Sequence, residues 1–222
     1  MNASDPTGKG ARTYMPIRKR LLDLVVAVPA VVVSAPLVLL LAIGSAISFK
    51  AWPLFVQPRV GLNGREFWFV KIRSLPTSAP PAADKYELEF VETSAWGQFL
   101  RRWHLDELPQ VWLVMTGRMT LVGPRPEMPH LSAKFDPAFA RERVSVVPGC
   151  TGLWQMSTAV GGLIREAPEF DLHYVHHWTL RLDVWLLMKT AGGFFGGSSV
   201  KDVGQIPAWT GADVAEPAEA LA

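Results

Sequence analysis

The sequence predicts an α+β fold, in which an N-terminal re-entrant membrane segment (helix, break, helix) precedes a membrane-associated core of short strands and helices. An apolar run of 29 residues, 21–49, follows a short basic segment. Two β-prone stretches and several helix-prone stretches come after it. The predicted divisions are a disordered segment 1–17, a membrane anchor 18–50, a core domain 51–191 and a flexible Gly-rich and acidic tail 192–222.

The apolar run is long enough to cross a bilayer, but two features favour a re-entrant path. As one straight helix it would extend roughly 43 Å, against about 30 Å of hydrocarbon. Pro29 and Pro36 each remove a helical hydrogen bond, and a membrane break is predicted at Ser34 and Pro36. Basic residues flank the run on both sides, and the positive-inside rule cannot place both ends of a spanning segment in the cytoplasm. The alternative is a single spanning anchor attached to an unrelated soluble enzyme.

Charge is divided unevenly along the chain. Residues 1–83 hold ten Lys and Arg against three acids, whereas residues 84–222 hold twelve against seventeen. Basic residues beside an apolar run attract anionic headgroups, and no nucleic-acid motif accompanies them, so membrane lipids are a predicted partner and nucleic acid is not. The single cysteine, Cys150, excludes an internal disulfide and favours a reducing, cytoplasm-facing location. Its alternative role is that of a small buried residue.

The segment 101–126, RRWHLDELPQVWLVMTGRMTLVGPRP, places adjacent carboxylates and several arginines around a short apolar stretch. Neighbouring residues point in different directions, so Asp106 and Glu107 are predicted to have different roles. Asp106 is predicted to cap the following helix, because proline is tolerated in a first helical turn. The prolines beside Arg125 restrict a guanidinium that suits phosphate oxygens. The alternative is an ordinary helix cap, a solvated acid and a surface arginine.

This segment resembles the bacterial sugar transferases, the monotopic phosphoglycosyl transferases that start exopolysaccharide and glycan assembly. Their pattern is a basic pair, Leu-Asp-Glu-Leu-Pro-Gln, an apolar helix, a Gly-Asp-Met-Ser-like turn and Val-Gly-Pro-Arg-Pro. The matching residues are Arg101, Arg102, Leu105, Asp106, Glu107, Leu108, Pro109, Gln110, Gly117, Met119, Leu121, Val122, Gly123, Pro124, Arg125 and Pro126. Shorter resemblances occur in the stretches 57–74, 148–155 and 171–183.

The resemblance implies an enzyme that transfers a sugar 1-phosphate from a UDP-sugar to undecaprenyl phosphate with release of UMP, and so initiates exopolysaccharide or other glycan assembly. It implies a two-step, Mg²⁺-dependent path on the cytoplasmic face of the bacterial inner membrane, by a monotopic protein. Asp106 is the predicted nucleophile, forming an aspartyl-phosphosugar intermediate. Glu107 is predicted to bind metal or to activate the lipid phosphate, and both carboxylates are candidate Mg²⁺ ligands. Downstream glycosyltransferases are further candidate partners.

Four basic residues are predicted to hold phosphate oxygens. They are Arg101, Arg125, Lys71 and Arg73. Lys71 and Arg73 alternate onto one face of the second strand of a hairpin, predicted over 52–60 and 66–72. For these two residues, a solvated strand edge or a lipid contact is the alternative.

A group of histidines offers a competing metal site. His173 has the helical spacing of a zinc pair with His176 or His177, but no Cys or Glu accompanies them at a familiar ligand spacing. We therefore favour a wet aromatic interface for this group.

The chain also departs from the family pattern. The departures are Leu113 for Asn, Arg118 for Asp, Val147 for a basic residue and 158–160 for a Gly-Arg-Asn-like triplet. They bear on nucleotide-sugar specificity, and they leave an alternative function open: a catalytically degenerate, membrane-associated assembly factor of the same fold. Trp154 has two interpretations, a ring stacked on a base or sugar, or a buried core residue.

Overall fold

A computed structural model describes residues 16–193 and 197–212. The helices are α1 (Ile17–Phe49), α2 (Lys85–Glu89), α3 (Ala95–Arg102), α4 (Gln110–Met115), α5 (Pro129–Ser132), α6 (Pro137–Arg143), α7 (Pro168–His177) and α8 (Leu180–Gly193). The strands are β1 (Leu54–Val60), β2 (Glu66–Ile72), β3 (Thr120–Val122) and β4 (Gly149–Thr151). Mixed helices and short strands confirm the predicted α+β fold. The predicted N-terminal segment lies outside the described residues, apart from its last two positions.

Helix α1 contains the whole apolar run in one stretch of 33 residues, roughly 50 Å long. The break predicted at Ser34 and Pro36 is not observed. The helix is continuous and contains both Pro29 and Pro36. A proline costs one helical hydrogen bond, but its fixed φ is itself helical, so the backbone continues through it. This is a helix long and apolar enough to cross a membrane, and only 17% of its most apolar 18-residue window is buried within the protein.

The beginning of α1 is anchored in the protein by a buried lysine. The Lys19 Nζ donates to Asp183 at 2.6 Å, to the Val122 carbonyl at 2.8 Å and to the Tyr174 hydroxyl oxygen at 3.0 Å. Both members of the ion pair are almost fully buried. Lys19 therefore binds the core domain and not a lipid headgroup, in contrast to the role that its position before an apolar run predicts.

Two further residues in the first turns of α1 also bind the core domain. The carboxylate of Asp23, which is 1% exposed, accepts hydrogen bonds from the Thr120 hydroxyl and, at 3.0 Å, from the Leu121 N–H. Arg20 donates to the carbonyls of Val114 and Met115, at the end of α4. Arg20 thus caps α4, since its charge lies at the negative end of that helix.

The predicted hairpin is confirmed. Strands β1 and β2 pair antiparallel from Leu54 opposite Ile72 to Val60 opposite Glu66. The turn between them is made by Asn63 and Gly64, which both have the positive φ that tight turns need. Because side chains alternate along a strand, one face of the hairpin carries Phe55, Gln57 and Arg59 beside Phe67, Phe69 and Lys71.

Strands β3 and β4 form a second, parallel pair inside the core. Gly149 lies so close to the turn after β3 that a Cβ there would be 2.1 Å from the Gly123 nitrogen. The Gly123 N–H donates to the Thr151 carbonyl at 2.8 Å, and the Gly149 N–H donates to the Pro124 carbonyl at 2.9 Å. The Gly-Pro-Arg-Pro turn is therefore fixed against β4.

Part of the predicted flexible tail is packed. Within residues 197–212, Val200, Ile206 and Ala212 are 1%, 6% and 2% exposed and belong to the main apolar core. Isolated apolar residues in a Gly-rich stretch give little periodic signal, so sequence reasoning assigned the whole segment to a tail. The remainder of that tail, from residue 213, lies outside the described residues.

Candidate active site

The two adjacent carboxylates lie on a single 3₁₀ turn, Leu105–Glu107, between α3 and α4. The prediction that Asp106 caps α4 is wrong, because Pro109 occupies the N-cap position and the Asp106 side chain binds Ser74 instead. His104, which precedes the turn, has a left-handed backbone with φ of 52°. This sharp change of direction turns Asp106 inward.

Asp106 is a buried carboxylate with one uncommitted oxygen. The residue is 5% exposed, and the Ser74 hydroxyl donates to its Oδ2 at 3.0 Å. Among the described residues, no hydrogen bond reaches Oδ1. Burial raises the pKa of Asp106, and the nearby positive charge of Lys71 only partly offsets this effect. The side chain is therefore held in one orientation and is more basic than a solvated aspartate.

Glu107 and Arg125 form a forked ion pair. Arg125 donates to the two oxygens of Glu107 at 2.7 and 3.4 Å, and both side chains are about one quarter exposed. Burial is the largest single effect and would raise the pKa of Glu107, but the charge and hydrogen bonds of Arg125, together with the charge of Lys71, lower that pKa to about 2. Glu107 in turn raises the pKa of Arg125. The structure thus brings together two residues that the sequence placed in separate motifs.

A cavity of about 60 Å³ lies between the hairpin and the proline-rich loop 75–83. Lys71, Arg73, Arg59 and Ser74 line it, together with apolar residues that include Phe55. The Lys71 Nζ lies 5.4 Å from the centre of the Phe55 ring. Burial lowers the pKa of Lys71 to about 8, although the negative charges of Asp106 and Glu107 oppose this effect. Cations on an apolar wall suit a ligand that combines phosphate groups with less polar parts.

The predicted basic residues are not all equivalent. Lys71 and Arg73 both line the cavity, and the Arg73 Nε also donates to the Trp52 carbonyl at 2.8 Å. Arg101 instead is exposed on the last turn of α3, and among the described residues no hydrogen bond or ion pair of its side chain is seen. The predicted role of Arg101 in holding phosphate therefore stays a prediction.

Arg59 connects the cavity to the Gly-Pro-Arg-Pro turn. It donates to the Glu127 carboxylate at 2.9 Å and to the Pro126 carbonyl at 3.1 Å. Burial lowers the pKa of Arg59 to about 10, despite the opposing charge of Glu127. This arginine closes one side of the turn that presents Arg125.

The carboxylates fit a magnesium ion as part of a donor set. Mg²⁺ is usually bound by one or two carboxylates, with substrate phosphates and water completing the octahedron. Within the described part of the chain, Asp106 offers an Oδ1 that accepts no side-chain hydrogen bond, and Glu107 offers oxygens that already accept from Arg125. Within residues 16–193 and 197–212, no group of three or more His, Cys, Asp or Glu could hold a metal. A magnesium ion bound here would take its remaining ligands from substrate oxygens or water.

The histidines show no sign of a zinc site. The His173 and His177 rings stack with centroids 4.6 Å apart, and His176 pairs with Glu142 instead. Burial lowers the pKa of His173 to about 4. The ring contact agrees with an aromatic interface, but His173 is buried, so the wet interface predicted for it is not what the structure shows.

Several residues that shape the site were not predicted to belong to it. Ser74 and Arg59 lie in the stretch 57–74 that resembles the family. That resemblance was the signal that could have assigned them to the site. Arg143 and Asp171 form a buried ion pair at 2.7 Å behind the Gly-Pro-Arg-Pro turn. The sequence gives no signal for that pair, because α6 and α7 come together only in the folded chain.

Three of the departures from the family pattern do not line the cavity, whereas the fourth, 158–160, contacts α2 beside it through a hydrogen bond from Lys85 to the Val160 carbonyl. Leu113 and Arg118 line an open groove with Glu66 and Trp68, and Val147 is a core residue at 7% exposure. Trp154 is 5% exposed within the main apolar core, which supports burial over stacking on a ligand. Arg118 and Val147 therefore give no structural support to a degenerate site, and that alternative stays untested.

Comparison with known proteins places these residues in a family. The sequence profile of the family described as "Bacterial sugar transferase" matches residues 14–197. A UDP-glucose:undecaprenyl-phosphate glucose-1-phosphate transferase of Xanthomonas campestris pv. campestris is 35% identical over 191 residues, 80% of this chain and 39% of that protein. The protein of the same name from Caulobacter vibrioides is 34% identical over 197 residues, 83% of this chain and 72% of that protein.

A third relative carries a different sugar in its name. The UDP-N-acetylgalactosamine-undecaprenyl-phosphate N-acetylgalactosaminephosphotransferase of Aeromonas hydrophila is 32% identical over 181 residues, 78% of this chain. The chain spans only about two fifths of the length of the Xanthomonas and Aeromonas proteins. Because the family profile covers most of the chain, including the carboxylate turn, the Gly-Pro-Arg-Pro turn and the cavity, the chain belongs to the bacterial sugar transferase family.

Proposed function

We propose that this protein transfers a sugar 1-phosphate from a UDP-sugar to undecaprenyl phosphate, releasing UMP and initiating the assembly of an exopolysaccharide or another glycan. The observation that carries the proposal is the buried Asp106, which Ser74 joins to the wall of a cavity containing Lys71 and Arg73. The names of the relatives support the same two substrates. They differ in the sugar, so the sugar accepted here is left open.

Asp106 acts as the nucleophile in the first step. Its free carboxylate oxygen attacks the phosphorus atom that carries the sugar, the bond from that phosphorus to the bridging oxygen breaks, and UMP leaves with the electron pair. The carboxylate is more basic than a solvated one, which favours attack, and the Ser74 hydroxyl holds the second oxygen aside. The product is an aspartyl-phosphosugar.

The second step regenerates the carboxylate. A phosphate oxygen of undecaprenyl phosphate attacks the same phosphorus atom, and the bond between that atom and Asp106 breaks. Lys71, Arg73 and Arg125 would hold phosphate oxygens during both steps, since phosphoryl transfer depends chiefly on positioning and charge neutralisation. Mg²⁺ held by Asp106 and Glu107 would supply further neutralisation of the phosphate charge.

We place the protein on the cytoplasmic face of the inner membrane, entering the bilayer from one side only. Lys19 and Ser45 lie near opposite ends of α1, and both bind the core domain, Ser45 through the Arg73 carbonyl at 2.5 Å. A straight span would carry its two ends to opposite faces of the bilayer, beyond reach of one domain. Between these ends, α1 exposes Val32, Val33, Leu39 and Leu40. These contacts support attachment from one side over a single spanning anchor.

The proposal is tested by UMP release from a panel of UDP-sugars, with undecaprenyl phosphate and Mg²⁺ added to the membrane-bound protein. We expect release with at least one UDP-sugar, and its loss in Asp106→Asn. The matched control is Asp202→Asn, since Asp202 is exposed and its side chain makes no capping hydrogen bond. No release with any UDP-sugar would refute the activity, and full turnover by Asp106→Asn would refute the nucleophile.

A further inference from the structure

The carbonyl groups around the Gly-Pro-Arg-Pro turn are held from behind by buried side chains. The Val122 carbonyl, just before the turn, accepts from Lys19, and the Tyr174 hydroxyl oxygen lies 2.8 Å from it. The Arg125 carbonyl, within the turn, accepts from the guanidinium of Arg143. Lys19, Tyr174 and Arg143 are not among the described residues that line the cavity, so they contact the backbone around the turn and not the cavity.

Arg143 makes two contacts at once from a buried position. It lies in the last turn of α6 and is 5% exposed. Its Nε donates to the Asp171 carboxylate on α7 at 2.7 Å, while a terminal nitrogen donates to the Arg125 carbonyl. The planar fork of arginine fixes the direction of one contact when the other is made. The position of Asp171 therefore determines where the Arg125 carbonyl is held.

The held carbonyl belongs to the residue whose side chain pairs with Glu107. Pro124 and Pro126 fix φ on either side of Arg125, which leaves the turn few remaining ways to move. Fixing the Arg125 carbonyl therefore also limits the direction of its side chain, which reaches Glu107 at 2.7 Å. A displacement of about 1 Å at such a group can reduce turnover on the order of a hundredfold.

We propose that Arg143, oriented by Asp171, is a positioning residue that fixes the backbone of Arg125 and so directs the Arg125 side chain toward Glu107 and the transferred phosphate. The consequence for turnover rests on the proposed sugar-phosphate transfer. The contact between Arg143 and the Arg125 backbone does not, and it is testable without any substrate.

The test separates positioning from stability with three variants. Arg143→Lys keeps a positive charge for Asp171 but cannot make both contacts of the guanidinium. The double variant Arg143→Met with Asp171→Leu removes both buried charges, a change that often leaves stability unharmed. Ile206→Ala is the control, because Ile206 is buried in the core, where the change opens a cavity, and its backbone N–H donates to Val203. Each variant is measured for thermal unfolding, for amide hydrogen exchange in residues 121–128, and for the kcat and KM of UMP release.

We expect Arg143→Lys and the double variant to exchange faster across residues 121–128 and to lose ten- to hundredfold in kcat, even where the double variant melts near wild type. Ile206→Ala should melt earlier but keep its kcat below the melting range. Unchanged exchange in both Arg143 variants would overturn the proposal, whether or not the protein is active. The proposal would also be overturned if, across all three variants, the loss in kcat were proportional to the loss in melting temperature. If the wild type releases no UMP, the proposed function fails, and hydrogen exchange alone decides the role of Arg143.

Discussion

Replacing Lys19 by methionine tests whether the first turn of α1 belongs to the core domain or to the membrane surface. The change removes the ammonium that donates to Asp183, Val122 and Tyr174. It leaves the Asp183 carboxylate, which is 0% exposed, without its counter-ion. Removing one partner of a buried pair costs about 3–5 kcal/mol.

The hydrogen bonds that Asp183 keeps in Lys19→Met determine where in this range the loss of stability falls. Asp183 keeps donors in the Tyr174 hydroxyl at 2.7 Å and the Trp178 indole N–H at 3.0 Å, so we expect a loss of about 3 kcal/mol. For a domain of this size, that loss lowers Tm by about 6–12 °C. The double variant Lys19→Met with Asp183→Leu should recover most of it, because no buried charge is left unpaired.

The matched control is Arg18→Met, one residue earlier on the same helix and exposed. Thermal unfolding in uncharged detergent should be lowered by Lys19→Met and unchanged by Arg18→Met. Sedimentation with anionic vesicles should show the reverse, weaker binding for Arg18→Met by about 1 kcal/mol and little change for Lys19→Met. If Lys19→Met weakens vesicle binding and leaves Tm unchanged, Lys19 is a headgroup contact and the reasoning fails.

Three further outcomes are expected from the site. Ser74→Ala removes the hydrogen bond to Asp106 and should lower kcat about tenfold with little change in KM, whereas an unchanged kcat would remove Ser74 from the site. Lys71, whose pKa burial lowers to about 8, should lose its charge and its phosphate contact as pH rises through 8, so UMP release should fall there. Lys71→Arg should shift that fall to higher pH, and an unmoved pH profile would exclude Lys71 as its cause. Arg125→Gln should reduce kcat/KM at least tenfold and Arg101→Gln by less, since of these two arginines Arg125 is the one that pairs with Glu107 in the described structure. Equal losses in the two variants would contradict this expectation.

Raising pH should also increase stability over one defined range because of Lys71. Its folded-state pKa is lowered from 10.5 to about 8, so between these values the unfolded chain binds more protons than the folded one. Stability from this group therefore rises with pH through that window. Denaturant unfolding at pH 7.5 and pH 10 should show a smaller gain in Lys71→Met than in the wild type, and equal gains would contradict the assignment.

Local patterns in the sequence predicted the hairpin and the apolar segment of α1. The hairpin follows from alternation and the apolar segment from hydropathy, which are local properties, whereas the break expected within α1 is absent from the described helix. Glu107 and Arg125 were singled out from separate motifs. Their pairing, and the burial of Asp106 beside Ser74, depend on how the hairpin packs against the carboxylate turn.

What sequence reasoning missed depends on contacts between distant segments. Lys19 and Asp183 are 164 positions apart, and a lysine before an apolar run has the same local pattern whether it binds a headgroup or a carboxylate. Arg143 looks like a surface residue of a short amphipathic helix until α7 covers it. Asp106 does not cap α4 as predicted, because Pro109, three residues later, occupies the N-cap position.

In the proposed reaction, Asp106 forms a covalent bond to the transferred phosphosugar. Incubating the protein with an accepted UDP-sugar and no undecaprenyl phosphate should release up to one UMP per protein and add the mass of one phosphosugar to the peptide containing Asp106. Adding undecaprenyl phosphate should then remove that mass. Turnover with no UMP released before the acceptor is added, and no mass added to the Asp106 peptide, would contradict the account.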